Sequence, residues 1–347
     1  MTTTNFSKAP VLKALTNDRH ITRLVVMLIA ILTFFLIVKT SSFLSLRTWQ
    51  SMAIQFPEFG LLALGVMLTM MTAGIDLSVV GIANMTAIGS AVLMLSLTPE
   101  GASGGQVAFA IAVAIAFALA AGALAGIVNG LLVAKVNIPP ILVTLGTLEL
   151  FTGIAIIITG GKPVSGLPPA FGEVFAGKVF GIVPVPLLVF TVAAIVVGLV
   201  LTKTAFGKKI LMLGTNATAA GLSGLNSTAL LVKTYLFSGV LASLGGLVML
   251  ANYNSAKADY GSTYTLLTVL IVVLGGVNPN GGRGRLLGVV LAVVILQILS
   301  SGLNMFPEIS NFYRPLIWGG VLLAVMAADY FSKDGSLLRR LRRKEHA

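Results

Sequence analysis

The stretch TMMTAGIDLSVVGIANM, residues 69–85, decides how the rest of the chain is read. Its only charged residue is one carboxylate, Asp76, and the nearest basic residues along the chain are Arg47 and Lys135. In hydrocarbon an unpaired carboxylate costs roughly 2.5–3.5 kcal/mol even on lenient insertion scales. Asp76 must therefore face protein or water, or sit at the end of a helix. Gly74 before it and LSVVGIAN after it fit a break between two membrane helices, with Asp76 accepting backbone N–H groups at the start of the second. The same break would place the carboxylate on a translocation path, where it could accept hydrogen bonds from a polar solute. The two placements are compatible.

The composition around this stretch agrees with a bilayer. Of 347 residues, 56% are hydrophobic and only 10% charged, and the mean hydropathy is +0.99. A soluble domain carries about 25% charged residues. A span needs roughly 20 mostly apolar residues. On that rule spans are expected near 21–38, 52–72, 77–97, 106–134, 138–159, 183–203, 229–251, 262–277, 286–306 and 311–331. The fold expected is an all-α integral membrane protein with about ten transmembrane helices. The short eighth run and the nearly continuous second and third are candidates for broken or tilted helices. Residues 1–20 form an N-terminal tail, 21–331 the transmembrane domain, and 332–347 a basic C-terminal tail. The first run follows a basic leader but no small-residue cleavage pattern, which reads as an uncleaved span.

Basic residues orient the chain. With the N-terminus in the cytoplasm, 17 of the 23 Lys and Arg fall in the tails and inner loops, and six in outer loops. That asymmetry favours cytoplasmic N- and C-termini and an even number of spans in a multi-pass protein. The net charge of +12 does not indicate nucleic acid, because the charges lie in short loops and tails. The chain has no Cys, which excludes a thiolate metal site or Cys nucleophile, and both His residues, His20 and His346, fall in the tails as solvated positions. No catalytic residue, metal site or cofactor is expected. No G-x-x-x-x-G-K-[ST] phosphate loop occurs, so ATP would be handled by another subunit.

Three other segments stand out. AGALAGIVNG carries Gly122, Gly126 and Gly130 at spacings of four, which lets another backbone approach one helix face. The inner segment 203–233 offers a basic patch, a Gly turn and a short helical piece from Asn216 to Leu225, with Asn216 as its cap and Gly224 as its end. It is either a docking element for a soluble partner or a solvated loop. The outer segment 160–186 is rich in proline and is either a docking surface or a connector.

Four stretches in order, GIDLSV at 74–79, NIPPILVTLGTLELFTGIAIIITGGKPV at 137–164, GTNATAAGLSGLN at 214–226 and VVLGGVNPNGGRG at 272–284, resemble the permeases of ribose-type, monosaccharide-importing ABC transporters. That group takes in galactose, xylose, rhamnose and autoinducer-2 systems. The resemblance implies a permease that pairs with a second permease, the same or different. It also implies two copies of an ATP-hydrolysing subunit, or one fused double ATPase, and a periplasmic or lipid-anchored sugar-binding protein. It makes 214–226 the coupling helix, with Asn216, Ala219, Ala220, Leu222, Ser223, Gly224 and Leu225 as its ATPase contacts. The chain departs from the family pattern at Val80, a usual Gly. Ala217, Thr218 and Gly221 replace a usual Pro, Glu and Arg, and Thr265 and Leu267 stand where many relatives carry acids. Loss of charge at the coupling helix suggests a second permease that retains it.

The translocation-path candidates are Asp76, Asn84, Thr144, Thr147 and Glu149. Glu149 sits mid-span in ILVTLGTLELFTGIAII and would be neutral there or face a central path. An ion-coupled secondary transporter, with Asp76 and Glu149 as ion sites, is the alternative function.

Overall fold

Helix α1 (Arg19–Val38) leads through the short α2 (Thr40–Phe43) into α3 (Leu46–Met71), α4 (Val79–Leu97), α5 (Gly104–Ala134) and α6 (Pro140–Thr159). The computed structural model describes residues 19–306 and, beyond these, residues 308, 313, 316–320 and 323. After α6 the chain forms β1 (Val164–Ser165), α7 (Pro169–Phe175), β2 (Lys178–Val179) and β3 (Val183–Pro184). It then runs through α8 (Val185–Lys203), α9 (Ala205–Thr215), α10 (Ala217–Leu222), α11 (Ser227–Tyr253), β4 (Ser255–Ala256), α12 (Tyr264–Leu274) and α13 (Leu286–Leu303). Among the described residues eight helices are long and apolar enough to cross a membrane: α1, α3, α4, α5, α6, α8, α11 and α13. The protein is an all-α integral membrane protein. The expected tenth span, 311–331, lies outside the described residues except for scattered positions, as do most of both tails.

The expected eighth span is a half-helix. The 11 residues of α12 rise only about 16 Å, against a hydrocarbon core of about 30 Å. The chain reaches it through 254–263, a non-helical segment in which Ala256 and Ala258 are buried. Irregular backbone at this depth is tolerated only where protein satisfies its polar groups. Here Asn84 of α4 does so: its Nδ2 donates to the carbonyls of Ala258 and Tyr260, at 2.8 Å each. Strand β4 also pairs antiparallel with β1, Val164 opposite Ala256, tying the segment to the proline-rich loop.

α3 and α11 form the centre of the bundle, and α11 packs on α5, α3 and α4. The glycine stripe of α5 makes the first of these contacts. A Cβ at Gly126 would collide with the carbonyl of Tyr235, and one at Gly122 with that of Gly239. The two backbones are thus nearly in contact, as the spacing predicts. The sequence reading needs correction at two points. His20 is not a solvated tail residue: it lies in the first turn of α1, and its Nε2 donates to the carbonyl of Leu274 at 3.0 Å. The Gly turn expected before the capped piece does not form: Gly207 and Gly214 both lie inside α9, and Gly214 lets that helix abut the carbonyl of Met71 and the amide of Gly282.

Candidate functional site

Asp76 occupies the break between α3 and α4, and its side chain is fully buried. Ala73, with φ 63°, turns the chain out of α3. Oδ1 then accepts the Ser78 amide at 3.0 Å and the Ser78 hydroxyl at 2.6 Å, while Oδ2 accepts the Ser238 hydroxyl of α11 at 2.7 Å. Asn129 of α5 completes the knot by donating Nδ2 to Ser78 Oγ at 2.8 Å. One carboxylate thereby joins the break to two neighbouring helices. Charge-assisted bonds of this kind are about twice as strong as neutral ones. Two buried polar atoms on the same helices, Asn129 Oδ1 and the Tyr235 hydroxyl, have no hydrogen-bond partner among the described residues.

Thr144 and Thr147 of α6 turn toward this knot and are buried. The Thr144 hydroxyl lies 3.0 Å from the Ile75 carbonyl and 2.9 Å from that of Pro140, and Thr147 bonds back to Thr144. Glu149 does not join them. It lies on the opposite, exposed face of α6 with Leu142, Leu145 and Ile157. On that face Gly146 and Gly153, one turn to either side of Glu149, have no other atom near the position of a Cβ. Asn84 is committed to the two loop carbonyls described above.

The segment 205–226 folds as two helices. Thr204 caps α9, accepting the Gly207 amide, and Asn216 caps α10, accepting the Ala219 amide at 2.9 Å. Gly224, with φ 78°, ends α10 in the left-handed conformation that glycine adopts freely. Of the residues assigned to ATPase coupling, Ala220 is buried, Leu225 is partly covered, and Asn216, Ala219, Leu222, Ser223 and Gly224 are exposed. Leu222 is 87% exposed and projects from the tip of the helix.

A second buried carboxylate escaped the sequence reading. Glu58, in the middle of α3, is 2% exposed. Its Oε1 accepts Asn252 Nδ2 at 2.8 Å, and its Oε2 accepts the hydroxyls of Tyr253 at 2.7 Å and Tyr264 at 3.2 Å. The signal was the one that exposed Asp76, a lone acid in an oily run. Its partners, however, lie at the far ends of α11 and α12. Beside this cluster is a cavity of about 300 Å³ lined by Gln55, Phe59, Tyr253, Tyr264, Leu267, Leu296, Gln297, Ser300, Asn304 and Trp318.

A bundle of bilayer-length helices, broken at a buried polar knot and carrying a short capped helix beyond its end, defines an integral membrane transport protein. The chain belongs to the permease family described as the branched-chain amino acid transport system, permease component, whose sequence profile matches residues 49–326. It is 36% identical over 271 residues to the ribose import permease protein RbsC of Bacillus subtilis, covering 78% of this chain and 80% of that one. It is 33% identical over 337 residues to the autoinducer 2 import system permease protein LsrC of Escherichia coli, covering 97% of this chain and 94% of that one. A metal-chelate-type ABC transporter solved in an inward-facing conformation shares the fold, with a TM-score of 0.51 at 15% identity over 88% of this chain and 98% of the other.

Proposed function

We propose that this chain is the membrane-spanning permease subunit of an ATP-binding-cassette importer for a monosaccharide or related small polyol. The observation that carries the proposal is the near full-length similarity to permeases of ribose and autoinducer-2 import. These relatives support the importer rather than an ion-coupled transporter. The subunit sits in a bacterial inner membrane with both termini cytoplasmic. A separate ATPase subunit, in two copies or as a fused pair, docks on α10. A second permease, the same or different, completes the passage, and a periplasmic or lipid-anchored binding protein delivers solute to the opposite end.

Transport proceeds by alternating access, and no covalent chemistry occurs in this chain. The exposed, uncharged α10 supports apolar docking through Leu222, which would seat in a groove of the ATPase. α9 abuts Met71 at the end of α3, so force on α10 reaches the break that holds Asp76. Opening that break would hydrate Asp76, Asn129 and Tyr235 together, which accounts for the buried Asn129 Oδ1 and Tyr235 hydroxyl having no partner among the described residues. Thr144 and Thr147 line the same side of α6. Glu149 faces the second permease, because a carboxylate at mid-bilayer is not left against acyl chains.

Co-purification from membranes tests the proposal. The intact chain should bring down an ATPase subunit, and the charged variant Thr218→Lys/Gly221→Glu should lose it. Both positions are exposed, and Gly221 has open space around it, so the variant leaves the bundle intact. Failure of the intact chain to recover any ATPase would reject the importer.

A further inference from the structure

The cavity beside Glu58 is a site that the transport reading leaves unassigned. It lies at the end of the bundle away from α9 and α10: Glu58 is about 20 Å along α3 from Met71, at 1.5 Å per residue. Its walls come from α3, α12, α13, the end of α11 and Trp318 beyond α13. On α13 the spacing of Gln297, Ser300 and Asn304 puts an amide, a hydroxyl and a second amide on one helical face. On α3 the spacing of Gln55 and Phe59 does the same with an amide and a ring.

Gln297 is almost fully buried, and its hydrogen bonds among the described residues use only the amide nitrogen, to Gln55 Oε1 at 3.3 Å and Ser301 Oγ at 2.8 Å. Its carbonyl is left as an acceptor at the cavity. The Tyr253 and Tyr264 hydroxyls both donate to Glu58 and lie 3.5 Å from each other, so both phenols are held in one orientation. Phe59 and Tyr264 meet edge to face, at 5.7 Å between centroids, and with Trp318 they supply apolar ring surface. Among the described residues no Lys or Arg lines the cavity. The Glu58 carboxylate already accepts three hydrogen bonds, which removes the need for a cationic ligand.

Several uncharged hydrogen-bonding groups facing aromatic rings, with a buried acid fixing two of the hydroxyls, suit a solute that has hydroxyls on its edges and C–H groups on its faces. We propose that this cavity binds a small, neutral polyhydroxylated solute within the single subunit, through Gln55, Gln297, Ser300 and Asn304 and against Trp318. Glu58 acts as a positioning residue that sets the two tyrosine hydroxyls. The assignment rests on the importer reading for the class of solute and adds a place for it.

Trp318 makes the site directly observable, since the chain has only two Trp. The Trp49→Phe chain, full length and in lipid nanodiscs, would be titrated with D-ribose, D-xylose, D-galactose and glycerol while Trp318 emission is followed. At least one should give a saturable change. Gln297→Leu should weaken it about tenfold, as expected where a buried hydrogen bond is lost, and Asn304→Leu, at an exposed position, should weaken it severalfold. D-ribose 5-phosphate should give none. Silence across the panel, a response that neither variant alters, or equal binding of the phosphate would overturn the assignment. ATP-driven uptake by the assembled transporter separates the two readings. Uptake of a panel sugar with no Trp318 response removes the cavity and leaves the importer. A Trp318 response with no uptake of any of them removes the importer and leaves the cavity.

Discussion

Asp76 and Glu58 meet the same requirement, a carboxylate inside a membrane bundle, by collecting donors from helices remote in sequence. Ser238 is the only donor to Asp76 Oδ2 among the described residues. Ser238→Ala therefore leaves a buried charged oxygen unsatisfied, at a cost of about 1–3 kcal/mol. The purified protein should melt at a lower temperature, and an unchanged melting point would remove the knot as a stabilising feature. Asp76→Asn should be milder than Asp76→Leu, because an amide oxygen still accepts from Ser78 and a hydroxyl can accept as well as donate. Sequence exposed Asp76 because the acid, the preceding glycine and the following helix are contiguous. Glu58 carried the same signal, but its partners Asn252, Tyr253 and Tyr264 come from distant parts of the chain. No local pattern reports them. Glu149 was legible as a mid-span acid, whereas the face of α6 it occupies depends on how that helix packs.

Among the elements, the long apolar helices were readable because span length and hydropathy are local properties. The half-helix α12 was not fully so: a run long enough on paper is interrupted by a buried irregular segment that Asn84 stabilises from α4. The glycine stripe of α5 was readable as a packing face, and its contact with α11 yields a controlled comparison. Gly126→Leu drives a side chain into the Tyr235 backbone and should cost about 3 kcal/mol or more. Gly105→Leu, on the same helix with nothing near its Cβ position, should be within about 0.5 kcal/mol of the parent. Equal yields of folded protein from the two variants would contradict the packing. At α10 the opposite result is expected. Leu222→Asp changes an exposed side chain, so the melting temperature should hold while co-purification of the ATPase is lost. Retained ATPase would mean that docking does not use the tip of this helix.

At the scale of the whole molecule, one face does not suit lipid. α6 presents Glu149 to the outside of the subunit at the middle of its span, flanked by Gly146 and Gly153. Exposure of that carboxylate to acyl chains would cost roughly 2.5–3.5 kcal/mol or more, and the two glycines leave room for a neighbour to approach. The exposed face of α8, with Leu188, Val192, Ile195 and Val196, is apolar and has no such conflict. The two faces should therefore have different neighbours in the assembled transporter, α6 meeting the second permease or the watery passage between the two, and α8 meeting lipid. A chain without native Cys allows this to be read directly. Single cysteines at Gly146, Glu149 and Val192 would be treated in membranes with a water-soluble maleimide and, separately, with an oxidant. Thiols react as thiolates, which form only where water reaches them, and a disulfide forms only where two Cα atoms come within about 7 Å. Position 149 should label, or position 146 should cross-link to the neighbouring permease, while position 192 does neither. If none of the three positions labels or cross-links, α6 faces lipid as α8 does, and the passage between permeases must be sought on another helix.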